Sequence, residues 1–334
     1  EPKSRGLGDV YKRQHGPFTA ARFSQLPESH WTLLIQKANQ LIPELAELLD
    51  RFNFIPNWRI DDVMVSYAPD SGSVGPHVDQ YDVFLLQGLG TRRWQINTDD
   101  SSQIPLLKNT PLQILQEFTP EQDWLLEPGD MLYLPPNVAH YGVAQEGCMT
   151  FSIGFRAPRF SELLTAWTDE HAPQLPDQLH YQDPELQVAT HNGEIATSAL
   201  EKVRAIVRQQ YVDDRDINRW FGQYITEPPA GQLLSEAESQ LNREQFRSSL
   251  GKYSELWRSE FSRFAFIRDD NVVRLYVDGQ EFELETEHLE LVALLCDQRR
   301  YKTDDMQTHL TASETFELLT ALYNMGAVEF PDNA

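Results

Sequence analysis

The sequence predicts a mixed α+β chain organised around a β-barrel, and three observations carry that expectation. Short segments of alternating polarity run from about residue 60 to 155. Helical apolar spacing takes over after residue 160, and towards the carboxy terminus a hairpin turn signal precedes three more helical patterns. A length of 334 residues suits two or three domains, and 40% apolar content is enough for ordinary cores.

Upstream of the barrel, residues 29–52 set Leu33, Leu34, Ala38, Leu41, Leu45, Leu48 and Leu49 at helical spacing, a stripe expected to pack on the barrel's outside. Within the barrel, 75–86 reads as one strand. Residues i and i+2 of a strand share a face, so His77, Asp79, Tyr81 and Val83 would point the same way. His140, after the Pro135-Pro136 turn, arrives from a second strand. A single His-x-Asp is more often a hydrogen-bonded polar pair than a metal site. The combination is stronger, because an imidazole and a carboxylate on a barrel's inner face are costly without a metal or a partner. Two imidazoles and one carboxylate leave about three open coordination positions, the arrangement of non-haem Fe(II) sites that handle O2.

After the turn-like Gln87-Gly88-Leu89-Gly90-Thr91, alternation puts Arg92, Trp94 and Ile96 on one face and Arg93 on the solvent side. An inward guanidinium fork suits bidentate capture of a carboxylate, such as the one that 2-oxoglutarate carries remote from its iron-chelating keto-acid. A polar, helix-compatible insertion is expected at 110–117.

Beyond the barrel, helices are expected at 161–172 and 199–225. Trp167, Val203, Ile206, Val207, Tyr211, Ile217, Trp220, Phe221 and Tyr224 give them more apolar surface than two isolated helices bury. Two strands around Asp278-Gly279 make a hairpin within 264–284. Helices at 288–296, 304–310 and 313–324 follow, and a short Val328-Glu329-Phe330 ends the pattern.

Charge and cysteine usage narrow the function classes. With 51 acidic against 28 basic residues the net charge is −23, which disfavours nucleic acid as a direct ligand and favours encounter with basic partners. Cys148 and Cys296 are too few and too far apart for a disulfide framework or a thiolate zinc site, so a reducing, cytoplasmic setting is the simplest inference. No run of about 18 apolar residues suggests a membrane span.

Six stretches together resemble one family: His15-Gly16-Pro17-Phe18, Trp58-Arg59-Ile60-Asp61-Asp62, Gly75-Pro76-His77-Val78-Asp79-Gln80-Tyr81-Asp82-Val83-Phe84, Arg92-Arg93-Trp94, Glu127-Pro128-Gly129-Asp130 and Gly154-Phe155-Arg156-Ala157-Pro158. From about His15 to Ala157 the chain resembles the JmjC-type 2-oxoglutarate oxygenases, and among them the bacterial ribosomal oxygenases that hydroxylate an arginine of a large-subunit ribosomal protein. The resemblance implies a double-stranded β-helix, the cupin-like JmjC barrel, followed by a helical dimerisation domain and a winged-helix-like C-terminal domain.

It implies His77, Asp79 and His140 as the iron triad and Arg92 as the anchor of 2-oxoglutarate. Ser66 sits where a second co-substrate contact is expected, though a Ser facing other strand residues reads nearly as well. The cofactor set is then Fe(II), 2-oxoglutarate and O2. The expected partner is a basic ribosomal protein, with a homodimer, no direct DNA binding and no membrane; Trp220 is expected in the dimer seam. Domains fall at 15–159, 160–230 and 231–334. Residues 1–14 do not resemble the family, whose members extend upstream of His15, so they read as a non-native or disordered segment on a truncated oxygenase domain. Two other readings stay open on the sequence: a demethylase acting on N-methyl groups, and a metal- or ligand-sensing barrel that controls a winged helix.

Overall fold

The computed structural model describes residues 14–331 except 100–103, 109, 111, 183, 185–194, 210–213, 230–231, 233–235, 238, 270, 307 and 311–312. Of the segment 1–14 expected to be foreign to the fold, residues 1–13 lie outside the described residues. Two compact units divide the chain: Glu1–Ala157 with Ser259–Phe261, and Pro158–Arg258 with Ser262–Ala334.

The first unit begins with α1 (Ala20–Phe23), β1 (Leu33–Ile35), α2 (Pro43–Leu49) and β2 (Ile60–Ala68). It continues with β3 (His77–Val78), β4 (Val83–Leu89), β5 (Arg92–Asn97), β6 (Gln122–Leu126), β7 (Met131–Leu134), β8 (Ala139–Ala144) and β9 (Cys148–Phe155). Two antiparallel sheets result, ordered β1-β2-β9-β4-β7 and β3-β8-β5-β6.

Alternation sorts each strand's side chains. On one face of the larger sheet, Val63 and Val65 of β2 and Ile153 and Phe155 of β9 pack with Ala38, Leu45, Leu49 and Phe52. On its other face Ser66, Ala68, Cys148, Thr150 and Gln87 are buried. Between the sheets Val83 and Leu85 of β4 meet Trp94, Ile96, Leu126 and Leu134.

Three local expectations are corrected. Leu33–Ile35 is not helical but a strand paired with β2, because a short apolar run reads alike in either form; a short 3-10 turn follows at Ala38–Gln40 and the α-helix of this stripe starts at Pro43, whose fixed φ suits a first turn. The single strand expected over 75–86 is two strands in different sheets, with Asp79–Asp82 crossing between them. Residues described within 110–117 form no helix; Leu115 bridges Leu106 and is buried with Ile114. The described residues of 199–225 are helical, as expected, over Thr197–Gln209 and Asp214–Thr226, and 210–213 lie outside the described residues.

The second unit holds α3 (Phe160–His171), α4 (Thr197–Gln209), α5 (Asp214–Thr226), α6 (Arg243–Leu250), β10 (Glu255–Arg258), β11 (Phe264–Arg268), β12 (Val272–Val277) and β13 (Gln280–Glu285). After these come α7 (Leu289–Asp297), β14 (Arg300–Lys302), α8 (Thr303–Met306), α9 (Ser313–Asn324) and β15 (Val328–Glu329). β11-β12-β13 make one sheet and β14-β10-β15 another. The turn between β12 and β13 is the expected one: Asp278 and Gly279 both take positive φ, 50° and 82°, as a two-residue hairpin of matching twist requires. Phe246, Leu256, Leu275, Leu291, Tyr301 and Leu319 are among the side chains of one buried core.

Trp220 is not placed as expected. It is only 6% exposed within the single chain, edge-on to Trp167 at 5.4 Å and stacked on Tyr224 at 5.1 Å. Among the three helices α3, α4 and α5, the exposed large apolar side chains are on α3 and α4: Phe160 is 85% exposed, Val203 47% and Ile206 45%. No described helix is long and apolar enough to cross a membrane.

Candidate active site

The smaller sheet brings two of the sequence-selected residues face to face, for β3 and β8 pair with His77 directly opposite His140. Their rings lie 4.2 Å apart between centroids. Asp79, one residue beyond β3, turns its carboxylate towards both, with Oδ2 at 3.8 Å from His77 Nε2 and 3.6 Å from His140 Nε2. One ligand atom from each of the three residues falls within 4.8 Å of the other two, the one such grouping found among the described residues.

The tautomers follow from the neighbours. His77 Nδ1 is 2.9 Å from the Gly75 carbonyl and His140 Nδ1 is 2.9 Å from the Val138 carbonyl. A carbonyl oxygen only accepts, so each Nδ1 carries a proton and donates, and in its neutral form each ring keeps its lone pair on Nε2, facing Asp79. Burial, and after it the charge of His77, hold the His140 imidazole below its ordinary pKa, keeping that lone pair unprotonated at neutral pH. Tyr81 stands beside the triad, its phenol raised above the ordinary value by burial and then by the Asp79 carboxylate, to which it donates. Two imidazole nitrogens and a carboxylate oxygen converging in this way are a donor set that fits a divalent iron-type metal.

On β5, Arg92 is 3% exposed whereas the Arg93 side chain is 53% exposed and pairs with Asp123 at 2.6 Å. The buried guanidinium is short of acceptors. Nη2 donates to the Gly142 carbonyl at 3.3 Å, Nη1 reaches Ser66 Oγ at 3.5 Å, and Nε meets no acceptor among the described residues. Burial lowers the pKa of the group from its ordinary value, and the nearby Cys148 sulfur opposes that shift. A fork so placed lacks an anion, and a carboxylate is the group its geometry fits. Ser66 Oγ, itself donating to the Thr150 carbonyl at 3.3 Å, stands at the same place.

Beyond setting Trp94 on the same face as Arg92, sequence reasoning passed over the rest of this lining. Trp94 spans the two ends, 5.1 Å from the Arg92 guanidinium and 6.1 Å from the His140 ring. Cys148 is in contact with Arg92 and Gln87, and Gln87 accepts from Thr150 at 2.9 Å. A signal for these was present in β9, where Cys148, Thr150 and Ser152 alternate with Met149, Phe151 and Ile153.

A twisted barrel that offers two imidazoles, a carboxylate and a buried guanidinium has the architecture of the JmjC-type oxygenases. A family model described as a JmjC domain matches residues 47–163, one described as a ROXA-like winged helix matches 207–329, and one described as an AraC-like ligand binding domain matches 119–252. The ribosomal protein uL16 3-hydroxylase of Escherichia coli is 30% identical over 315 residues, 93% of this chain and 81% of that protein. A probable ribosomal oxygenase of Haemophilus influenzae is 32% identical over 280 residues, 81% of this chain and 69% of that protein. The structure of the Escherichia coli ribosomal oxygenase YcfD in complex with cobalt and 2-oxoglutarate superposes with a TM-score of 0.80 at 29% identity, covering 95% of this chain and 82% of that one. The chain belongs to the ribosomal oxygenase family of JmjC proteins.

Proposed function

We propose that this protein is an Fe(II)- and 2-oxoglutarate-dependent hydroxylase that adds a hydroxyl to the β-carbon of an arginine in a large-subunit ribosomal protein. The observation that carries the reading is the convergence of His77, Asp79 and His140 near a buried Arg92 with unfilled hydrogen-bonding capacity, in a chain related to a uL16 3-hydroxylase along most of its length. His77, Asp79 and His140 would hold the metal; Arg92, with Ser66 beside it, would hold the distal carboxylate of 2-oxoglutarate. When bound, iron(II) with 2-oxoglutarate and O2 supplies the oxidation that turns a C–H bond into C–OH.

The chain's own contribution is orientation. The Gly75 and Val138 carbonyls fix both imidazoles with Nε2 towards the metal position. Tyr81 stays protonated and donates to Asp79, steadying the carboxylate. Trp94 and its apolar neighbours keep bulk water from the space between metal and guanidinium, where a charge-assisted bond gains strength. The net charge of −23 favours capture of a basic ribosomal protein.

The same reading places the protein in the cytoplasm as a homodimer, with 15–159 as the oxygenase domain, 160–230 as the dimerisation segment and 231–334 as a winged-helix-like domain that does not bind DNA directly. Exposed apolar side chains on α3 and α4 support a dimer through those helices. The test of function is mass analysis of ribosomal proteins incubated with the protein, Fe(II) and 2-oxoglutarate. A gain of one oxygen on an arginine residue is expected; loss of a methyl group would establish demethylation, and no change with any ribosomal protein would refute the reading.

A further inference from the structure

The inner faces of β5 and β8 run in opposite senses of size. On the face of β8 that carries His140, the buried positions are His140, Gly142 and Ala144, and their cross-strand partners on β5 are Ile96, Trp94 and Arg92. Bulk on one strand therefore leans over the smallest residues of the other. Arg92 starts in the Ala144 row, yet its Nη2 bonds to the Gly142 carbonyl. A Cβ built on Gly142 would stand 2.9 Å from Arg92 Nε and 2.6 and 2.7 Å from Cζ3 and Cη2 of Trp94. Gly142 lies inside a strand, where any residue adopts the backbone, so what this position requires is space.

We propose that Gly142 is a positioning residue that sets the length of the 2-oxo acid the site accepts. Its missing side chain lets Trp94 and Arg92 lie against β8 and brings the guanidinium one inward row, about 7 Å along the strand, from the His140 row. The inference rests on the assignment of Arg92 to the distal carboxylate. A methyl group at 142 pushes the indole and the guanidinium back towards Ala68, Ala144 and Cys148, the small side chains packed together at that end. The gap between the triad and the guanidinium then widens. A five-carbon diacid spans it less well, and its six-carbon homologue, 2-oxoadipate, loses less.

The test is calorimetric titration of 2-oxoglutarate and 2-oxoadipate into the cobalt(II)-loaded full chain, for the parent, Gly142→Ala, Trp94→Phe, the double variant and Arg92→Met. Gly142→Ala should weaken 2-oxoglutarate by about tenfold or more, the scale of a methyl forced into a packed core. It should weaken 2-oxoadipate less, so the preference for the shorter acid falls while cobalt(II) affinity is unchanged. Trp94→Phe alone removes the wall behind the guanidinium and should also relax the preference; it serves as the decisive variant if Gly142→Ala does not fold. The double variant exchanges ring atoms for a methyl and should recover the parental preference, a coupling that a general loss of stability would not produce. Equal weakening of both acids by Gly142→Ala, or an unchanged preference in Trp94→Phe, overturns the role of Gly142. Parental affinity in Arg92→Met would instead overturn the assignment of Arg92 on which it rests.

Discussion

Replacing Arg92 by Met separates the co-substrate contact from everything else the side chain does. Methionine keeps most of the stem's bulk against Trp94 and deletes the fork. In the free protein that fork has weak compensation: a carbonyl at 3.3 Å, a hydroxyl at 3.5 Å and an Nε with no acceptor among the described residues. Removing a poorly paired buried charge should therefore leave the thermal midpoint of the metal-free, co-substrate-free protein unchanged or raised. The cost appears only when 2-oxoglutarate binds, because its distal carboxylate would fill the missing valences. Loss of charge-assisted bonds of that kind is worth about 1.5–3 kcal/mol, roughly a tenfold to hundredfold rise in the apparent Michaelis constant for 2-oxoglutarate. Arg93→Met is the control, since Arg93 bonds Asp123 on the solvent side of the same strand. The assay is succinate formation against 2-oxoglutarate concentration, with a melting curve for each protein. Equal effects at the two positions, or a large loss of stability in Arg92→Met without co-substrate, would refute the reasoning.

Asp79→Ala should abolish succinate formation and metal retention while circular dichroism stays parental, because the apolar packing of the two sheets does not involve Asp79; turnover at the parental rate with normal iron content would exclude the triad. Ile206→Glu or Val203→Glu, each placing a charge on the exposed face of α4, should convert a dimer to monomers by light scattering, and a parent already monomeric at micromolar concentration would dismiss the dimer. Leu49→Ala should cost about 2–5 kcal/mol in urea unfolding, because Leu49 is 1% exposed in the core beneath α2; a cost below about 1 kcal/mol would mean that this core relaxes around the cavity.

The candidate site was legible in the sequence to the extent that chemistry is carried by residue type and period. The contrast between Arg92 and Arg93 needed only two-residue alternation, and the structure places them on opposite faces. His77, Asp79 and His140 also come together, although Asp79 does so from beyond the end of a two-residue strand rather than from within a long one. Alternation could not show that 75–86 crosses from one sheet to the other, because the crossing is imposed by which strands become neighbours. Leu33–Ile35 misled for a related reason: three apolar residues satisfy a helical stripe and a strand equally, and pairing with β2 decides. Trp220 shows the limit of counting aromatic residues, for the count does not say whether a ring meets its own chain or another. Gly142 was invisible without register, since its role depends on Trp94 lying directly opposite.

The brevity of β3 has a thermodynamic consequence. Among the described residues that strand pairs with β8 through two residue pairs, His77 with His140 and Val78 with Ala139, flanked by two backbone bonds, from Leu115 N–H to the Pro76 carbonyl and from Asn137 N–H to the Asp79 carbonyl, so a short ladder resists its opening. Two of the three candidate ligands lie on or just after it, and the third is on β8. A cation held by all three would act as a clasp across this seam, and its binding energy would be added to the local free energy of closing the segment 77–79. Backbone amides around β3 should therefore exchange with solvent far faster in the metal-stripped protein than in the loaded one, while those of β2 and β9 keep their protection.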